Sequence, residues 1–214
     1  MVVAVSILGN PCSIEVIREF CDKHGLYLFE DNCESMGAEL NGKLCGTFGD
    51  IGTFSTFFSH HISTIEGGII LTENEEIFHL MKSLRAHGWT RDLPYDSLIY
   101  NRGEDDFYEA YRFILPGYNA RPLDLNGAIG IEQLKKLDSM IDIRRKNAEV
   151  FVSLFSKDDR FIIQKENGKS SWFSFTIVLN PKYAIDRSSV MEAMRTAEIE
   201  FRIITGGSFL RHDV

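Results

Sequence analysis

The order of residues 2–30 constrains the fold most. An apolar run at residues 2–8 leads into the turn Gly9-Asn10-Pro11. A helical pattern at residues 14–24 follows, then Gly25 and a second apolar run at residues 26–30. Ser13 or Asn10 can cap that helix, and Ile14, Val16, Ile17, Phe20 and Cys21 fall roughly on one face. Strand, helix and strand in this order predict a right-handed crossover and a parallel pair. The second run is continuously apolar, as expected of a strand covered on both faces. Ligands of such sheets bind at the carboxyl ends of strands, and Asp31 and Asn32 fall at such an end.

The pattern continues in the same style. Asn41-Gly42 is a hairpin signal. Strands are expected at residues 51–56 and 69–72, and a helix capped by Asn74 at residues 75–87. Residues 93–111 are polar and aromatic and read as a long loop with one short helical piece, a kind of segment that is functional or disordered. Residues 123–136 and 141–155 read as long amphipathic helices. After Ser156 the pattern changes to a strand at 171–178, a helix at 187–197 and a strand at 199–204. The expected fold class is α/β. A mostly parallel sheet over residues 1–155 is followed by the start of a small α+β domain over residues 156–214.

Bulk properties exclude several functions. The 214 residues carry a formal net charge of -8 with no basic stripe, which argues against a nucleic-acid partner. Cys12, Cys21, Cys33 and Cys45 show no CxxC spacing, so neither a disulfide framework nor a zinc site is expected. No apolar run reaches the length of a membrane span and no basic-then-apolar leader is present, so the expected location is cytoplasmic. The chain starts in mid-strand at Met1 and stops at Val214 without a cap, so a piece of a longer protein is expected.

The segment Phe54-Ser55-Thr56-Phe57-Phe58-Ser59-His60-His61 runs toward Glu66-Gly67-Gly68 and offers the clearest chemistry. Adjacent histidines are more often structural than catalytic, and no HxxxH or HExxH is present. Imidazole is nevertheless the group best matched to proton transfer near neutral pH. Asp31 is either a turn cap or a carboxylate that pairs with a protonated ring nitrogen. Ser55, Ser59, Ser63 and Thr64 are either surface hydroxyls or parts of a phosphate site. Asn119 and Arg121 lie before a long helix, as a cap or as contacts to a ligand or a neighbouring subunit. Arg91 belongs either to a solvated loop or to an anion contact. Taken alone, these residues define an α/β enzyme domain.

Their order along the chain adds more. The runs Glu30-Asp31-Asn32-Cys33-Glu34-Ser35-Met36-Gly37-Ala38, Gly46-Thr47-Phe48-Gly49, Phe54-Ser55, Glu66-Gly67-Gly68 and Gly117-Tyr118-Asn119 are similar to those of the DegT/DnrJ/EryC1/StrS sugar aminotransferases. That family acts on nucleotide-linked keto-sugars and has the aspartate aminotransferase fold, fold type I of the pyridoxal-phosphate enzymes. Its members attach the cofactor to a lysine at the position occupied here by His60. A small branch with His-His there consists of sugar 3-dehydratases, and this chain resembles that branch.

The resemblance implies dehydration at C3 of a nucleotide-linked 4-keto-6-deoxy-hexose, in first place GDP-4-keto-6-deoxy-D-mannose of the colitose pathway. It implies pyridoxal 5'-phosphate and pyridoxamine 5'-phosphate as cofactor forms, L-glutamate as amine donor and a homodimer with shared sites. It assigns His60 as the catalytic base, Asp31, Glu34, Ser55 and Asn119 to the cofactor, and Arg91 and His61 to the substrate. One member type also holds an iron–sulfur cluster through cysteines after the His-His pair. No cysteine follows Cys45 here, so no cluster is expected. An aminotransferase using another lysine, such as Lys43 or Lys82, and a non-catalytic member are the alternatives. The stretch at residues 201–208 departs from the family's Arg-Pro pattern.

Overall fold

The computed structural model describes residues 1–204 and 208–213; residues 205–207 of the departing stretch lie outside the described residues. Two compact units are present. The first comprises Met1–Arg145 and Glu166–Phe173, the second Lys146–Lys165 and Ser174–Val214. The boundary expected at residue 155 therefore does not coincide with the observed division. Residues Glu166–Phe173 rejoin the first unit because Lys169 and Glu39 exchange backbone hydrogen bonds of 2.7 and 2.9 Å.

The first unit is built on β1 (Val2–Val5), α1 (Ile14–His24), β2 (Leu28–Asp31), the hairpin β3 (Glu39–Leu40) and β4 (Lys43–Leu44), β5 (Ile51–Ser55) and β6 (Gly68–Leu71). Then come α2 (Glu75–Leu84), α3 (Asp106–Glu109), α4 (Asp124–Leu134) and α5 (Leu137–Phe155), inside which the division falls. The main sheet has the order β1-β2-β5-β6. β1, β2 and β5 are parallel, as the strand–helix–strand order requires, and β6 returns antiparallel to β5.

Alternation along the strands sorts the side chains. Ala4 and Leu28 face α1 and pack with Ile14 and Cys21, with Val2, Ile17, Leu26 and Phe48 around them. The helix buries the stripe Ile14, Ile17 and Cys21, while Val16 (65% exposed) and Phe20 (51%) fall outside it. Gly25 ends the helix in the left-handed conformation, at φ 61°, and its N–H reaches back to the Asp22 and Cys21 carbonyls. Ser13 stands at the N-cap position without a side-chain bond, and Asn10 instead accepts from the Asn167 amide at 2.8 Å. On the opposite sheet face, register places Val3, Phe29 and Ile51 together, with Val5, Asp31, Thr53 and Ile70 one step further on. Val3, Val5 and Ile70 are exposed.

Several expected boundaries move. The first strand stops at Val5, where residues Ile7–Gly9 turn, with Leu8 at φ 56°. Residues 171–173 belong to no strand, because the Ser171 and Phe173 amides donate to the Gly9 and Leu8 carbonyls. The strand expected at 171–178 is reduced to β8 (Ile177–Leu179), which pairs with β7 (Phe161–Ile163), a strand the sequence reading did not anticipate. Residues 199–204 form no strand; Ile199 N–H closes the end of α6 (Arg187–Thr196) by bonding to Met194. The second unit also contains an aromatic stack, with Phe151 4.8 Å from Phe155 and 4.9 Å from Phe175.

Candidate active site

Three parallel strands present their carboxyl ends at one edge, and the polar residues gather there. Asp31 ends β2, opposite Thr53 of β5, and Ser55 lies two residues beyond Thr53 on the same face. Asp31 and Ser55 thus leave one face of the sheet at one edge. The Ser6 amide donates to Asp31 O and the Asn32 amide to Thr53 O, so the ladder holds up to this edge.

The neighbouring carboxylate Glu30 points the other way. It is 1% exposed and accepts three backbone amides: Gly46 at 2.8 Å, Phe48 at 2.6 Å and Gly49 at 2.5 Å. It is a fastener for the turn that precedes β5. Asp31 is only half-buried. It accepts from the Cys33 amide at 3.1 Å, the local turn that aspartate favours. Burial and the Asp31 carboxylate push the Cys33 thiol up to about 12, so it stays protonated near neutrality. Glu34 accepts from the Leu8 amide at 2.7 Å and so holds the turn after β1.

The loop from β5 to β6 carries the histidines in a closed frame. Thr56 and Thr64 share a hydroxyl–hydroxyl bond of 2.6 Å, and Thr64 also donates to the Glu66 carbonyl. Asn126 of α4 donates to the Thr64 carbonyl at 2.7 Å and the Glu66 carbonyl at 3.1 Å, while its oxygen accepts from the Leu123 amide. Ser55 Oγ accepts from the Phe57 amide at 3.2 Å, which leaves its hydroxyl hydrogen to donate to an anion. His61 is 3% exposed; burial and the nearby Arg144 charge push it down to about 4, so it is neutral at pH 7. The His60 and His61 rings lie 5.4 and 5.5 Å from the Phe173 ring.

Asn119 and Arg91 lie elsewhere. Asn119 is exposed and bridges Ala86 just after α2. Arg91 is stacked over Trp89 at 4.0 Å and pairs with Asp92 at 3.5 Å. Neither shares a hydrogen bond, ion pair or ring contact with the strand-edge residues among the described ones. The expectations also passed over Phe173, Arg144 and Asn126. Asn126 carries a faint signal, as an amide in the first turn of a helix. Phe173 and Arg144 carry none.

The donor set suits a phosphorylated pyridine. Among the described residues no cation pairs with Asp31, so a protonated ring nitrogen is a partner of matching charge. The buried His60 Nδ1 lacks a hydrogen-bond partner, and the His61 ring has only the Ser171 backbone beside it, at a geometry too poor for a regular hydrogen bond. An orphaned buried polar atom in a loop at this strand edge marks it as a candidate ligand site. Among the described residues no group of three or more His, Cys, Asp or Glu is placed to hold a metal ion, and no helix is long and apolar enough to cross a membrane.

The family model described as the DegT/DnrJ/EryC1/StrS aminotransferase family matches residues 1–212. The chain belongs to this family. A GDP-4-keto-6-deoxy-D-mannose 3-dehydratase of Yersinia pseudotuberculosis is 49% identical to this DegT/DnrJ/EryC1/StrS member over 212 residues, 99% of this chain and 54% of the relative. A solved E. coli 3-dehydratase of the same sugar, with bound hydrated PLP, is 48% identical and superposes with a TM-score of 0.92 over 97% of this chain and 54% of that one. A variant of this dehydratase with bound GDP-perosamine is 47% identical, with the same TM-score and coverage. The chain thus spans about half the length of the relatives it matches. Its fold is that of the family's pyridoxal-phosphate-dependent aminotransferases.

Proposed function

We propose that this chain carries the proton-transferring imidazole of a sugar 3-dehydratase that uses pyridoxal 5'-phosphate and pyridoxamine 5'-phosphate. The substrate is GDP-4-keto-6-deoxy-D-mannose and the amine donor is L-glutamate. The observation that carries the reading is His60, an imidazole where the family's aminotransferases resemble one another in having a lysine, set in a loop at the carboxyl edge of the sheet. The names of the relatives and the hydrated PLP bound to the E. coli protein support it.

When bound, the cofactor supplies an amine and an electron sink. Asp31 would hold the pyridine N–H, and the Ser55 hydroxyl would donate to the phosphate. Glu34, in the turn after Asp31, would border the ring. Asn119 would reach the phosphate bound in a second copy, in a homodimer. An imidazole has no primary amine with which to tether an aldehyde. His60 instead takes up a proton beside the amine nitrogen and delivers one to the departing C3 hydroxyl. His61, neutral and buried, would line the substrate side, and Arg91 would meet the diphosphate with its planar fork. The location consistent with this activity is the cytoplasm.

His60→Asn tests the reading. The variant should still bind cofactor, seen by its absorbance, and should lose 3-deoxy-sugar and ammonia release by about 10²–10⁴-fold. Near-normal turnover, or no cofactor binding by the unsubstituted chain, would overturn it.

A further inference from the structure

Phe173 is held from three sides. Its amide donates to the Leu8 carbonyl at 3.1 Å, and its carbonyl accepts from Arg144 Nη1 at 2.9 Å. The preceding carbonyl, of Trp172, takes a second contact from the same nitrogen at 3.4 Å. Two residues upstream, the Ser171 amide and the Ser170 hydroxyl both donate to the Gly9 carbonyl, at 2.9 and 2.7 Å. The receiving turn is itself pinned, since Glu34 holds the Leu8 amide in a left-handed conformation that non-glycine residues avoid. On this mount the Phe173 ring meets His60 at 5.4 Å, tilted by 37°, and His61 at 5.5 Å, tilted by 38°. Arg144 lies over the same ring, 5.9 Å from its centroid.

The His60 imidazole is not oriented by a hydrogen bond at its buried Nδ1. A histidine usually takes its orientation from a bond at its second nitrogen. Here the aromatic contact takes that place. Among the described residues His60 has one further ring neighbour, Phe57, at 6.0 Å in edge geometry, and Phe57 belongs to the same loop. Phe173 comes from a distant stretch of chain and ties the tip of the loop to the turn after β1.

We propose that Phe173 is a positioning residue that sets the ring orientation of His60, with Arg144 and the Glu34-pinned turn holding it in place. The proposal rests on the reading of His60 as the proton carrier. It adds that the imidazole is aimed by ring packing and not by a hydrogen bond at its buried Nδ1. A displacement of about 1 Å in a reacting group costs up to about 10²-fold in rate, so loss of the ring should lower kcat and leave KM for the sugar nearly unchanged.

The test is histidine proton NMR of the whole chain, assigned with His60→Asn. In Phe173→Leu the His60 and His61 ring signals should move downfield as the ring current is lost, while His24, His79, His87 and His212 stay put. Phe173→Tyr should restore both positions. Arg144→Gln, which keeps the ring and removes its clamp, should broaden the same two signals. With glutamate and nucleotide sugar present, Phe173→Leu should lose about 10–100-fold in kcat and Phe173→Tyr should recover most of it. His60 and His61 signals that do not move in Phe173→Leu, or that do not broaden in Arg144→Gln, would overturn the positioning role, whatever the activity. Full activity in His60→Asn would instead sink the proton-carrier reading and leave the ring geometry standing. If Phe173→Leu does not fold, Arg144→Gln decides alone, by the same signals.

Discussion

Glu30→Gln should destabilise the fold far more than Asp31→Asn, although the two carboxylates are adjacent. Glu30 is nearly inaccessible to water and accepts amides from Gly46, Phe48 and Gly49. Hydrogen bonds to a charged acceptor contribute about 1.5–3 kcal/mol each, and neutral ones about 0.5–1.5 kcal/mol. A glutamine keeps one oxygen for Phe48 and Gly49 but turns an NH2 toward the Gly46 N–H. Two bonds weaken by about 1 kcal/mol each, and one becomes a donor facing a donor. Part of this is offset because the neutral amide is cheaper to bury. The net loss comes to about 3 kcal/mol. With a urea m-value of about 3 kcal/mol/M, the midpoint falls by about 1 M. Asp31→Asn keeps the oxygen that accepts from the Cys33 amide, so its midpoint should stay within about 0.3 M of the parent. Urea unfolding followed by fluorescence measures both. Equal midpoints for the two variants would refute the assignment of Glu30 to structure and Asp31 to the site.

Two further outcomes follow from the same region. His61 is pushed down to about 4 from an ordinary 6.5, so between those values the unfolded chain binds a proton that the folded chain refuses. Stability is therefore fully present above pH 6.5 and falls by about 3 kcal/mol as the pH drops to 4; His61→Phe should flatten that limb in urea titrations, and an unchanged slope would contradict the burial argument. Gly9→Ala should cost about 2–4 kcal/mol, since φ is +85° there and a Cβ would stand 2.6 Å from the Trp172 and Phe173 nitrogens; an unchanged thermal midpoint would show that the turn and the Phe173 mount are not in contact.

What was legible in the sequence depended on how local its cause was. Helix α1 and the parallel pairing of β1 with β2 follow from periodicity, Gly25 and strand order, all within one short stretch. The hairpin at Asn41-Gly42 follows from two residues that tolerate left-handed backbone, and both adopt it, at φ 52° and 80°. The end of β1 was not legible, because the Glu34 carboxylate that bends Leu8 is 26 residues away. The strand expected across residues 171–178 failed for a related reason. Its backbone partners are Leu8 and Gly9, and nothing in an apolar run names a partner at such separation. Within the candidate site, the placement of Asp31 and Ser55 at strand ends and of the histidine pair in the following loop was readable. Phe173 and Arg144 were not, since a phenylalanine in a hydrophobic stretch looks the same whether it fills a core or aims an imidazole.

The frame around the histidine loop bears on how such proteins diverge. Its closure is made by Thr56, Thr64 and Glu66 from the loop and by Asn126 from α4, so position 60 contributes no side chain to it. An amine or an imidazole can therefore occupy the tip without refolding what surrounds it. The scaffold of this loop is thereby separated from whatever side chain its tip presents, and the two can vary independently.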